Sequence, residues 1–136
     1  MRERIRDKER LEHMLEAIDV IQSRTTGITY EELTADKVFL AGVIHYTMII
    51  GEAAYKLSRE FLSQFHQVEW KVIANMRHHI VHGYYRVNAK DVWDVIQDDL
   101  TPLKQQVEAI LAETDWSDWE EENTDTPPTP THGRGI

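Results

Sequence analysis

Asp36-Lys-Val-Phe-Leu-Ala-Gly-Val-Ile-His-Tyr-Thr-Met-Ile-Ile-Gly-Glu-Ala-Ala-Tyr-Lys-Leu-Ser58 is the stretch on which the fold turns. Its apolar residues are Val38, Phe39, Leu40, Val43, Ile44, Met48, Ile49, Ile50, Ala53, Ala54 and Leu57. At helical spacing they cover nearly every side, so such a helix is buried on more than one face. Asp36 is placed to cap its start, and the helix is expected to run to about Ser58. The most apolar part, Val38 to Ile50, falls short of the roughly 20 residues that cross a bilayer, and it contains His45. The stretch therefore reads as the central helix of a helical bundle.

The flanks extend that reading. Leu11, Met14, Leu15, Ile18 and Ile21 form one stripe and predict a helix from about Arg4 to Arg24, closed off by Gly27. Ile28 to Leu33 is a connector with room for a short helical turn. A third helix is expected from Glu69 to Val81 or His82, with Gly83 where a terminating glycine belongs. Asn88 with Asp91 resembles a capping box for a last helix, striped by Val92, Ile96, Leu100, Leu103, Val107, Ile110 and Leu111. Pro102 interrupts it and predicts a kink near Leu100. No strand pattern and no internal repeat is visible. The expected fold is all-α, an antiparallel bundle of four main helices over residues 1–112. Residues 113–136 form an acidic, Thr/Pro-rich tail that cannot bury enough apolar surface to order itself. Trp116 and Trp119 in that tail read as a frayed helix end folding back on the body.

A chain of 136 residues is one domain, small enough that pairing with a second copy would help its core. There is no cysteine, which excludes disulfides and thiolate metal sites and fits a reducing cytosol. The segment Met1 to Arg10 is charged and has no apolar core, unlike a signal peptide. A soluble, cytoplasmic protein is expected. The formal net charge is −9, of which −6 lies in residues 113–136, leaving −3 for the body. Between His66 and Lys90 the balance reverses: Lys71, Arg77, Arg86, Lys90 and four histidines stand against Glu69. The total argues against broad coating of a nucleic acid duplex. It leaves room for a small basic cleft, because the local field steers a polyanion.

Within that region lies Arg77-His78-His79-Ile80-Val81-His82-Gly83-Tyr84, which holds three of the seven histidines. Arginine presents a permanently charged planar fork to phosphate oxygens. Histidine takes or gives a proton near neutral pH. The combination suits phosphodiester cleavage. On a helix of 100° per residue, Arg77 falls within about 20° of Trp70, in the middle of the apolar face with Ile73 and Ile80. Arginine is rarely set there unless it is paired or lines a cleft. A structural role is the competing reading: Arg77 could snorkel outward or pair with Glu52, its natural partner should Glu52 be buried. His82 lies roughly 140° from Arg77, so the two do not meet on one unbroken helix. Either the helix ends before His82, or a second copy supplies part of the site. His82 and Gly83 also fit an ordinary helix terminus. His78 and His82 share a face with the spacing of a helical zinc site, which would need further ligands such as His45 or Glu52. No Glu follows His78, so the metalloprotease pattern is absent.

These residues resemble a known family. Ile49-Ile-Gly-Glu-Ala-Ala54, Trp70-Lys-Val-Ile-Ala-Asn-Met-Arg77, Val81-His-Gly-Tyr84, Val92-Trp-Asp-Val-Ile96 and Asp99-Leu-Thr-Pro-Leu103 are similar to the HepT-like members of the HEPN superfamily. Those are the toxin halves of toxin–antitoxin pairs. The likeness covers residues 1–112. It implies a helical bundle that dimerises, metal-independent RNA cleavage without a cofactor, and Arg77 and His82 as the catalytic pair. His78 occupies a position where the family most often has Asn, and its role stays open between orienting and sharing proton transfer. Tyr84 matches the tyrosine that a partner nucleotidyltransferase adenylylates. Two alternatives stand beside this reading. One is a non-catalytic HEPN module that presents Tyr84 to the nucleotidyltransferase, and the other is a metal-binding helical bundle.

Overall fold

A computed structural model describes the backbone of residues 2–82 and 88–117 and the side chains of residues 6–76 and 88–117. Among the described residues every regular element is helical. In chain order these are α1 (Arg2–Thr25), α2 (Tyr30–Ala35), α3 (Lys37–Tyr55), α4 (Arg59–Gln64), α5 (Trp70–His82), α6 (Ala89–Asp94), a π-helical turn (Val95–Asp99) and α7 (Leu100–Glu113). The all-helical reading of the sequence is therefore correct.

Helix α3 sits at the centre, packed against α5 on one side and α1 on the other, with α2 and α6 touching it as well. Val43, Thr47, Ile50, Gly51, Ala53 and Ala54 are its buried residues, and Thr47 returns its hydroxyl to the Val43 carbonyl at 2.9 Å. By length and composition alone α3 could cross a membrane, contrary to the shorter run read from the sequence. The stripe Leu11, Met14, Ile18 and Ile21 of α1 is buried, with Leu15 half covered. Val92, Ile96, Leu100, Leu103, Val107 and Ile110 are likewise buried. Each such side chain stabilises the fold by about 1.5–3 kcal/mol relative to leaving it in water. α7 runs antiparallel to α1: Gln22 donates to Thr101 at 3.1 Å, and Lys104 meets Asp19 at 3.0 Å.

Several boundaries differ from the sequence reading, and helix α4 was not expected from it. The connector Ile28–Leu33 holds a true helix, α2, because Thr29 and Glu32 form a reciprocal capping box at 3.0 and 2.8 Å. α3 ends at Tyr55 rather than Ser58. Ser58 instead caps α4, accepting from the Phe61 amide at 3.1 Å, and its own amide and hydroxyl donate to Asp7 of α1. α5 starts at Trp70, one residue later than expected. The kink expected from Pro102 takes the form of the π turn: proline has no amide and its ring collides with the carbonyl four residues back, so the preceding turn widens. Trp116 folds back on the end of α7, donating its indole N–H to the Leu111 carbonyl at 3.1 Å. Trp119 and the rest of the tail from residue 118 lie outside the described residues, as does Gly83.

Candidate active site on helix α5

Helix α5 is seated at its first residue. Trp70 is buried, its ring lies 5.5 Å from that of Phe61 in a T-shaped contact, and its indole N–H donates to the Phe65 carbonyl at 2.7 Å. From there the helix runs back along α3, its most extensive neighbour. Trp70, Ile73 and Ala74 form the covered line, while Lys71, Val72 and Asn75 face water. Val72 is 59% exposed, an unusual place for its two methyl groups. Position 77 continues the covered line at the spacing i, i+3, i+4, i+7. Arg77 is thus set by backbone register on the side of α5 that meets the bundle. Its side chain, with those of His78, His79 and His82, lies outside the described range.

The backbone of α5 is helical through His82. Of the two ways to reconcile Arg77 with His82, an early end to the helix is therefore removed. On a continuous helix the two positions point roughly 140° apart. Tyr84 falls in residues 83–87, outside the described residues. That five-residue connection is fixed at its far end by Asn88, whose side chain accepts from the Lys90 amide at 2.9 Å and the Asp91 amide at 3.4 Å to start α6.

Glu52 on α3 is not a buried carboxylate. Its side chain is 43% exposed and lies 3.5 Å from Lys56, one turn along the same helix. A pairing of Glu52 with Arg77 involves a side chain that lies outside the described residues. His45 is exposed too, its ring edge-on to Tyr46 at 5.3 Å. Among the described residues no three His, Asp or Glu side chains gather as metal ligands.

Two further lysines of the described residues are paired with carboxylates. Lys90 bonds Asp94 at 2.8 Å and Lys104 bonds Asp19, and those hydrogen bonds raise both lysine pKa values above the ordinary range. Asp99, at the end of the π turn, is pushed above the usual carboxylate range by burial and then by the charges of Asp98 and Asp94. The feature that sequence reasoning missed is the buried carboxylate of Asp7, held by Ser58. It lies in a run of alternating charges, and nothing local sets it apart.

Residues 14–110 match the family model of ribonuclease HepT-like proteins. The chain belongs to the HepT-like family. A provisionally named RNase of Caldanaerobacter subterraneus subsp. tengcongensis is 36% identical over 74% of this chain and 90% of its own length. A provisionally named ribonuclease HepT of Thermococcus cleftensis is 31% identical over 76% of this chain and 94% of its own. A Methanocaldococcus jannaschii protein, named as a gamma-glutamylcyclotransferase and provisional RNase, is 32% identical over 77% of this chain and 47% of its own length. No solved structure matches the chain at a significant level.

Proposed function

We propose that this chain is the toxin of a toxin–antitoxin pair, a metal-independent endoribonuclease acting in the cytoplasm as a homodimer of antiparallel helical bundles. The observation that carries the reading is the Arg77-x4-His82-x-Tyr84 sequence pattern, with Arg77 and His82 in the last turns of α5, in a chain of the HepT-like family. His82 removes the proton from an RNA 2′-hydroxyl, and the 2′-oxygen attacks the adjacent phosphorus. Arg77 stabilises the charge that builds on the phosphoryl oxygens, a preorganised electrostatic role. The bond from phosphorus to the 5′-oxygen breaks, and that oxygen takes a proton from water or from His78. The products are a 2′,3′-cyclic phosphate and a free 5′-hydroxyl. The angle between Arg77 and His82 on a continuous α5 supports a site completed by a second copy.

Control rests on Tyr84. A partner nucleotidyltransferase transfers AMP from ATP to its hydroxyl and releases pyrophosphate. The added negative charge and bulk keep RNA from the cleft. The test is incubation of the purified protein with RNA in the presence of a chelator, followed by analysis of the product ends. Cleavage with 2′,3′-cyclic phosphate ends is expected. Cleavage that stops with the chelator and returns with a divalent cation would remove the metal-independent mechanism. Intact RNA from an unmodified, folded dimer would favour a non-catalytic module that presents Tyr84.

A further inference from the structure

From Trp70 to Lys90 the chain has no acidic residue, against Lys71, Arg77, Arg86, Lys90 and three histidines. Lys71 and Asn75 are exposed, and the helix positions of His78 and His82 fall within about 60° of the same line along α5. Lys71 meets no carboxylate among the described residues, whereas Lys56, Lys90 and Lys104 each do. Next to it Val72 is 59% exposed, and Tyr55, at the same end of the bundle, is 63% exposed. One segment of the chain has the complementary make-up. Asp118-Trp-Glu-Glu-Glu-Asn-Thr-Asp125 carries five acids, no cation and one aromatic residue, Trp119. It lies beyond residues 14–110, the part that matches the HepT-like family.

That segment departs from the end of the bundle where α5 begins. Gln22 with Thr101 and Asp19 with Lys104 set the register of α1 against α7. Carried on, the same register brings residue 116 level with Asp7. Asp7 bonds Ser58, Ser58 caps α4 at the Phe61 amide, and the Phe61 ring meets that of Trp70. The point of departure is held by the Trp116 indole on the Leu111 carbonyl and by Ser117 on the Asp115 carboxylate. Five residues beyond Ser117 span up to about 17 Å, and eight up to about 27 Å.

We infer that residues 118–125 dock on the exposed face of α5, with the Trp119 ring against Val72 and Glu120, Glu121 and Glu122 at Lys71. The ring covers the exposed methyl groups, and the carboxylates give the lysine its counter-charge. A lone surface ion pair is weak, but a short tether holds the segment at an effective concentration in roughly the millimolar range. The docked acids stand at the head of the line that reaches position 82 about 16 Å further along the helix. RNA phosphates moving toward His82 meet the same cations, so the segment competes with substrate. That competition rests on the proposed function, and the docking does not.

The test uses the full chain. A water-soluble carbodiimide is expected to join the Lys71 amine to Glu120, Glu121 or Glu122 within one chain, read by mass spectrometry on mixed labelled and unlabelled protein. Val72→Ser and Trp119→Ala should each reduce that link. The variant Asp118→Asn, Glu120→Gln, Glu121→Gln, Glu122→Gln, Asp125→Asn is expected to bind a short single-stranded RNA about tenfold more tightly at low salt. The gap should close near 1 M salt, where charges are screened beyond about 3 Å. Trp119→Ala changes no charge and should tighten RNA binding as well. No link to Lys71, or a link only between differently labelled chains, overturns the docking. A gain from the neutralised variant that Trp119→Ala does not share shows a general effect of charge and overturns it too. A link within one chain with RNA affinity unchanged in both variants overturns the competition. RNA bound by none of these proteins, with the link present, sinks the proposed function and leaves the docked segment standing.

Discussion

Asp7 and Ser58 are 51 residues apart in sequence and joined by two hydrogen bonds: the Ser58 amide donates at 2.9 Å and its hydroxyl at 2.6 Å. The same hydroxyl accepts from the Phe61 amide, so one buried carboxylate fixes the serine that starts α4. The contact ties the N-terminal part of α1 to the corner that leads into α5. Replacing Asp7 by Ala leaves the buried Ser58 donors without this acceptor. A loss of about 1–3 kcal/mol in urea unfolding is expected. Combined with Ser58→Ala, the effects should add to less than their sum, because both variants remove one interaction. Full additivity would show that Asp7 acts elsewhere.

Trp70 anchors the other end of that corner. Trp70→Phe keeps a ring beside Phe61 and removes the bond to the Phe65 carbonyl, with an expected loss of about 1 kcal/mol. Trp70→Ala empties the pocket as well, and about 3–5 kcal/mol is expected. Hydrogen exchange in α5 should quicken more than in α1. Equal changes in the two helices would mean that Trp70 supports the whole bundle and not α5 in particular.

The long helices were legible because their apolar stripes repeat at helical spacing and the core uses those residues. Leu11, Ile18, Leu103 and Val107 are examples. The end of α3 was not legible. Leu57 continues its apolar pattern and is buried, yet the chain has already turned at Lys56, and Ser58 just beyond is held by the distant Asp7. The π turn was half legible: Pro102 demanded a disturbance, but a kink and a widened turn satisfy the same steric requirement. For the site, the helical backbone at position 77, in register with Trp70, Ile73 and Ala74, could be read from the spacing. The exposure of Glu52 could not, because it depends on how far α5 and α1 cover α3.

Asp99 predicts a pH dependence. Its folded pKa is raised, first by burial and then by Asp98 and Asp94, so the penalty falls on its ionised form. Its contribution to stability is therefore fully present below the unfolded carboxylate pKa and is lost as pH rises through the raised folded value. Asp99→Asn should be more stable than the natural chain at neutral pH, by at most about 0.5 kcal/mol because water screens these charges. The gain should vanish in acid, where both side chains are neutral. A gain that persists unchanged at low pH would point to packing instead.

Arg77→Ala and His82→Ala should each abolish most RNA cleavage while the protein stays folded. If each group stabilises the transition state by about 3 kcal/mol, the loss is on the order of a hundredfold. Circular dichroism and thermal unfolding separate this from a structural role. Full cleavage by either purified variant removes that residue from the mechanism. Unfolding of Arg77→Ala alone would place the guanidinium among the groups that hold the bundle together. Mixing the two inactive variants offers a sharper test: if a site draws Arg77 from one copy and His82 from the other, mixed dimers recover part of the activity.

Tyr84, and not the adjacent Tyr85, is expected to receive AMP. Tyr84 lies two residues past His82, in the connection between the end of α5 and the Asn88 cap of α6. In the proposed mechanism, the negative charge of a nucleotide attached there competes with RNA phosphate for Arg77 and the histidines. Mass spectrometry after co-expression with the cognate nucleotidyltransferase should find the adduct on Tyr84. Tyr84→Phe should stay folded, cleave RNA and remain toxic despite the antitoxin. If that variant is silenced as well as the natural chain is, the antitoxin works by covering the cleft and the modification is not what controls the site. An adduct on Tyr85 would instead place the nucleotidyltransferase on the other side of the connection, away from the phosphate-binding cations.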